Sequence, residues 1–376
     1  MATAAQVCLL PEKKAGIDGL LEEKAYICLI YHRTTDMNRL AYWGKSLLLT
    51  LLAFVALSCG KSSAEEPESQ PETPAADVSV LDKINARKGT LLLVCGSNMV
   101  YLIDADAAAA NGYKSSVLWQ WNAATAASTM HLDASRLDHL DDCKPVDGGK
   151  KLLITSSYSW AVLLDIETKK ILWYSKESKN AHSAELLPGN RIAVCCSTGS
   201  ETDPGDKVQV FDASSYGKLL CDTPFASAHG AVWNASAERL YIGGKSLLNS
   251  YKLEGNQLVL DKSVKTSSYV TGVHDVTLVN KNTLLLAGKQ AALYDIPSGK
   301  FTPLGAFAAS TALKSVNHHP SGSEVWYTDA TEPEGDYSWS SHQVRHRSDA
   351  ASGKEDRTIR IPDINMYKVR VYRWGL

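Results

Sequence analysis

From residue 90 onward, short apolar runs alternate with clusters of Gly, Asn, Asp and Ser, which is strand-and-turn punctuation. The runs also repeat. One element reads LLLVCGS (91–97), LLITSSY (152–158), IAVCCST (192–198), LYIGGKS (240–246), LLLAGKQ (284–290) and VWYTDAT (325–331). The next closes on an aspartate: VYLIDA (100–105), AVLLDI (161–166), VQVFDA (208–213) and AALYDI (291–296). A turn and an outer strand follow, as in SVLWQW (116–121) and KILWYS (170–175). A unit of four short strands cannot bury both of its faces alone. Units recurring at about 45-residue intervals must therefore stack around an axis. The expected fold is all-β: a six-bladed β-propeller of four-stranded antiparallel blades, forming one domain over residues 80–376.

Two details are open at this level. The C-terminal MYKVRVYRW (366–374) supplies either the inner strand of the first blade or a third strand of the sixth, with VSVLD (78–82) completing the latter. The alanine-rich ADAAAANGYK (105–114) and NAATAASTM (122–130) break the strand pattern and read as helical turns or loops. The Asp-turn-Gly-Lys endings VFDASSYGK (210–218) and LYDIPSGK (293–300) resemble the blades of WD-repeat and quinoprotein-like propellers. The resemblance concerns architecture. The tryptophan of the WD dipeptide is missing at that turn, and no quinoprotein cofactor residues are recognisable.

The N-terminal part has a different character. In MNRLAYWGKSLLLTLLAFVALSCGKSS (37–63), Arg39 and Lys45 precede an apolar run from Ser46 to Leu57 that is too short to span a bilayer. ALSC, ending at Cys59, resembles the lipobox of bacterial lipoproteins, with Ala56 where leucine is usual; looser boxes of this kind fit Bacteroidetes lipoproteins. The resemblance implies a signal peptide over 37–58 with translation from Met37, residues 1–36 being an extension outside the functional chain. It also implies lipidation of Cys59 and attachment to the membrane through that lipid. Residues 59–79, rich in Pro, Ser and Glu, read as a flexible acidic tether. The expected location is the cell envelope, as an outer-membrane lipoprotein facing the periplasm or the exterior. A formal net charge of −2 gives no basis for general nucleic-acid binding. Cys95, Cys143, Cys195, Cys196 and Cys221 are odd in number and show no zinc-binding spacing.

Aligned on their second strands, the blades place His139, His182, His229 and His274 at the start of the inner strand, with Lys314 at the matching place in the next blade. Two readings compete. In WD-repeat propellers a histidine there joins a buried network with the aspartate closing the third strand, and Asp104, Asp165, Asp212 and Asp295 offer such partners. Alternatively the histidines line a functional mouth. The loops between second and third strands, which vary in length, would add Tyr158, Trp160, Lys245 and Lys289 on that face, with Arg345 and Arg347 from the long 328–357 segment. Amines and imidazoles in a concave mouth favour anions, and aromatic rings offer faces for sugars. The expected function is non-catalytic binding of an acidic glycan fragment or an envelope partner protein. The alternative is a lyase or hydrolase for acidic oligosaccharides, with His139, His182, His229 and His274 holding a divalent transition metal and Lys314 or His318 abstracting a proton. Nucleophile elbows, HExxH and phosphate-cradling glycine loops are absent from the sequence.

Overall fold

The computed structural model describes residues 78–375 apart from 176, 199–204 and 333. The expected signal peptide over 37–58, Cys59, the expected extension 1–36 and nearly all of the expected tether lie outside the described residues.

Six four-stranded antiparallel sheets form the blades of a propeller. The second strands are buried along their whole length, as in Leu91–Gly96, because each is sandwiched between two neighbouring blades. Alternation appears only toward the periphery, as in the outer strand Leu219–Pro224. The core is accordingly divided into six apolar clusters, one per blade interface. Between the first and second blades, for example, Leu91, Leu93, Trp119 and Trp121 pack on Leu140, Leu152, Ile154 and Trp160. Cys95, Cys143, Cys195, Cys196 and Cys221 are buried thiols, and no disulfide forms among the described residues.

The C-terminal strand Met366–Arg373 pairs with Leu91–Gly96 and is the inner strand of the first blade, which resolves the closure. Gly96 is required there, since a Cβ on it would sit 2.3 Å from the Asn365 carbonyl oxygen. Residues 78–82 do not complete the sixth blade. Ser79 caps a short helix, Val80–Asn85, by accepting from the Asp82 amide. The carboxylate of Glu167 accepts from the Val80 and Leu81 amides at 2.8 and 3.0 Å, and Ile84 drops into the first interface. The alanine-rich segments are indeed helical: Ala105–Asn111 is capped by Asp104 and Ala123–Thr129 by Asn122.

One irregularity recurs in every blade and positions the site. At the start of the inner strands Leu140–Val146, Ala181–Leu187, Ala228–Asn234 and Leu313–His318, the register slips by one residue. The same slip occurs in Met366–Arg373, where two residues lie opposite Cys95. In the fifth blade His274 donates its amide to Ala287, the residue that also pairs with Asp275. A β-bulge of this kind sets two consecutive residues against one partner and adds a side chain to the face that would otherwise skip it. The added residues are Asp141, His182, His229, His274, Lys314 and Tyr367, one per blade.

Candidate functional site

These six side chains ring one end of the channel. His182 stacks on His229 with centroids 4.4 Å apart and on Tyr367 at 5.1 Å; His274 lies 5.4 Å from His229. The Lys314 ammonium sits 5.1 Å from the centroid of the Tyr367 ring. Above them opens a cavity of about 470 Å³, lined by His139, Asp141, Ser157, Tyr158, Asn180, His182, Lys314, Tyr337, Trp339 and Tyr367. Tyr337 and Trp339 stack almost parallel, 4.9 Å apart, and form one wall; His139 and Tyr158, 4.1 Å apart, form another.

The next layer down the channel is closed. Arg370 grips both Asp142 and Asp275 with four hydrogen bonds of 2.7–2.8 Å. The Lys368 ammonium donates to the carbonyls of His182 and His229 at 3.0 and 2.8 Å and pairs with Asp275 at 3.4 Å. Lys144 donates to Glu185 at 3.0 Å and to the Ala231 carbonyl. Three cations therefore meet three carboxylates, and the channel is plugged beneath the mouth. Burial alone would raise the Asp142 carboxyl, but Arg370 and Lys368 outweigh it and hold it below the usual carboxylate range.

Burial and this positive layer control the mouth. Burial, aided by Lys368 and Lys314, pushes His182 down to about 3. His229 and His274 are also driven well below the ordinary histidine value, first by burial and then by neighbouring imidazoles and cations. All three are neutral at physiological pH. The carbonyls of Ser227 and Leu313 lie 2.9 and 2.8 Å from Nδ1 of His229 and His274. A carbonyl only accepts, so Nδ1 carries the proton in both rings and Nε2 remains an acceptor. Burial raises Asp141 to about 7 and lowers Lys314 to about 8. Asp141 Oδ2 and His182 Nδ1 face each other at 3.6 Å, both buried and without a hydrogen bond among the described residues.

Several expected site residues take other places. His139 does not share the ring position; it precedes the strand by one residue, and the bulge gives the place to Asp141 instead. His139 still lines the cavity from its rim. Tyr158 is half exposed at the mouth, whereas Trp160 is buried against Tyr174 in the core. Lys245 and Lys289 are exposed in their turns and do not line the cavity. Arg345 pairs with Glu355, and Arg347 donates to Tyr327 Oη and the Gly353 carbonyl, so both serve the sixth blade. His318 sits at the far end of the strand that begins beside Lys314.

The imidazoles do not assemble a metal centre. The stacked rings of His182 and His229 direct their in-plane lone pairs side by side rather than toward a common point. Among the described residues no group of three or more His, Cys, Asp or Glu side chains is placed to hold a metal. The WD-type network is not formed either. Asp104, Asp165, Asp212 and Asp295 accept from amides of their own turns, at the end of the blades away from the mouth.

Asp141, Tyr367 and Asn180 escaped the sequence reading. The adjacent Asp141 and Asp142, and the match of MYKVRV (366–371) to AHSAEL (181–186), are the signals that mark the first two. A larger cavity, about 640 Å³, lies on the outside of the first two blades beside the helix Ala123–Thr129 and Lys169–Ile171. Among the described residues its one buried unpartnered polar atom is Trp121 Nε1 and its lining holds no buried titratable group, so the mouth is the better candidate.

A protein-family model described as a family of unknown function (DUF6528) matches residues 81–334. The chain belongs to this family. The DUF6528 match contains Asp141, His182, His229, His274 and Lys314, and ends before Tyr337, Trp339 and Tyr367. No curated protein matches the chain. Among solved structures, a chain from "Crystal Structure of Mitotic Checkpoint Complex" is similar at 14% identity over 85% of this chain and 91% of that one, with a TM-score of 0.46. That likeness is too slight to bear on function.

Proposed function

We propose that this propeller binds a fragment of an acidic glycan at its mouth and is held in the cell envelope by a lipid on Cys59. The carrying observation is Lys314: its ammonium reaches the cavity beside the Tyr367 ring, at the foot of an aromatic wall. A lysine so placed, with neutral imidazoles around it, selects an anionic group. Tyr158, Tyr337 and Trp339 provide flat faces for sugar rings. The unpartnered Asp141 Oδ2 and His182 Nδ1, on residues that line the cavity, suit hydroxyl groups. The cavity, about 470 Å³, matches a small ligand, whereas a stable protein interface buries on the order of 1,200 Å² or more. Size therefore favours the glycan over a protein partner. The envelope location is supported by the run from Ser46 to Leu57 followed by ALSC.

The test is a binding panel of matched neutral and uronate-containing oligosaccharides, followed by Trp339 fluorescence on the full chain in mild detergent. Uronates are expected to bind and to weaken as salt rises. Equal binding of both sets, or of neither, overturns the reading. Mass spectrometry of the N-terminal fragment from cells tests the lipid: a diacylated or triacylated Cys59 is expected, and an unmodified cysteine rejects it.

A further inference from the structure

We infer that the mouth holds three consecutive sugar units, with the acidic one in the middle. This deepens the proposed function and rests on it. The axial cavity is flanked by two others. One, about 300 Å³, is bounded by Ser97, Asn98, Asp138 and Asn365 and shares His139 and Tyr337 with the axial cavity. The second, about 320 Å³, is bounded by Asp133, Ser135 and Arg136 and shares Ser157 and Tyr158 with it. The His139–Tyr158 pair, its rings 4.1 Å apart and tilted, is thus a pillar at which all three spaces meet.

The flanks differ from the centre in chemistry. One flank presents Asn98, Asp138 and Asn365, the other Asp133, Ser135, Arg136 and Lys179, so both mix carboxylates with hydrogen-bonding groups that suit hydroxyls. Asn98 and Asp138 are on the turn and the inter-blade segment of adjacent blades, so one sugar unit can touch both. In the other flank Arg136 is held by Asp133 at 3.5 Å, which steadies its guanidinium toward a ring oxygen or hydroxyl. Lys314 is the one lysine or arginine lining the axial cavity, in the middle. A monosaccharide therefore uses only part of the surface that the fold provides, and a trisaccharide uses all of it.

The experiment is calorimetric titration of the full chain in detergent with glucuronic acid, a disaccharide of glucuronate and a neutral hexose, and a trisaccharide with glucuronate between two neutral hexoses. The trimer is expected to bind at least about a hundredfold more tightly than the monomer, roughly tenfold per added unit. Asn98→Ala and Arg136→Ala are each expected to reduce affinity for the trimer more than for the monomer, with unchanged melting temperature. Equal affinity for monomer and trimer overturns the three-unit site while leaving the acidic-glycan reading in place. Failure of all three uronates to bind overturns both.

Discussion

Two layers of the same channel, one residue apart along each inner strand, obey opposite rules. In the lower layer Asp142, Asp275, Lys368 and Arg370 are all buried and all paired. In the upper layer Lys314 meets an aromatic ring, and Asp141 and His182 keep unpartnered polar atoms. Both layers carry the desolvation cost of buried polar groups. The lower one recovers it through ion pairs within the protein, the upper one only in part, through bonds such as those of His229 and His274 to backbone carbonyls. The upper layer is arranged for something that is not part of the chain, and the bulge in each inner strand is what separates the two.

Removing a paired charge should expose this contrast most strongly. Arg370→Met leaves two buried carboxylates facing each other, and loss of about 3–5 kcal/mol of stability is expected in urea unfolding. A loss below about 1 kcal/mol would mean the lower layer is not the scaffold described here.

Acidification comes next in size. The folded-state values of His182, His229 and His274 are depressed, so their stabilising contribution is present above the unfolded histidine value of about 6.5 and is lost as pH falls below it. Asp141, raised to about 7, opposes this by binding a proton in the folded state down to the unfolded aspartate value of about 4. The three imidazoles outweigh the one carboxyl, so net stability falls as pH drops below about 6.5 toward about 4. Melting temperatures measured across that range should fall steeply; a flat profile would place the imidazoles in contact with water.

The upper layer should behave differently. Lys314→Met removes a desolvated charge without orphaning a partner, so stability is expected to hold within about 1 kcal/mol or to rise. A loss like that of Arg370→Met would erase the distinction between the layers. Smaller still, Tyr158→Ala should cost about 1 kcal/mol of ligand affinity through lost ring stacking, with no change in unfolding.

The sequence discloses these layers unevenly. Blade count, blade boundaries and the shared place of His182, His229, His274 and Lys314 at the start of the inner strands follow from the repeat, because strand burial imposes a regular apolar pattern. The displacement of His139 by Asp141 does not, since a bulge shifts register by one residue without altering the apolar pattern around it. Trp160 and Tyr158 lie two residues apart in one turn, yet one enters the core and the other the mouth. Tyr367 reaches the site only because the last strand closes the first blade, a contact between opposite ends of the propeller sequence.

The most direct test of the central claim is the affinity of the trisaccharide with glucuronate between two neutral hexoses as a function of pH, from 6 to about 9.5, for the wild-type chain and Lys314→Met. Lys314, lowered to about 8, is charged below that value and neutral above it, and Asp141 ionises near 7. Both changes disfavour an anion as pH rises. Wild-type affinity should therefore drop by at least about tenfold between pH 6 and 9.5, with Lys314→Met already weak at pH 6 and retaining only the part due to Asp141. A wild-type profile that is flat, or a Lys314→Met profile that matches it, would contradict an anion site at the mouth.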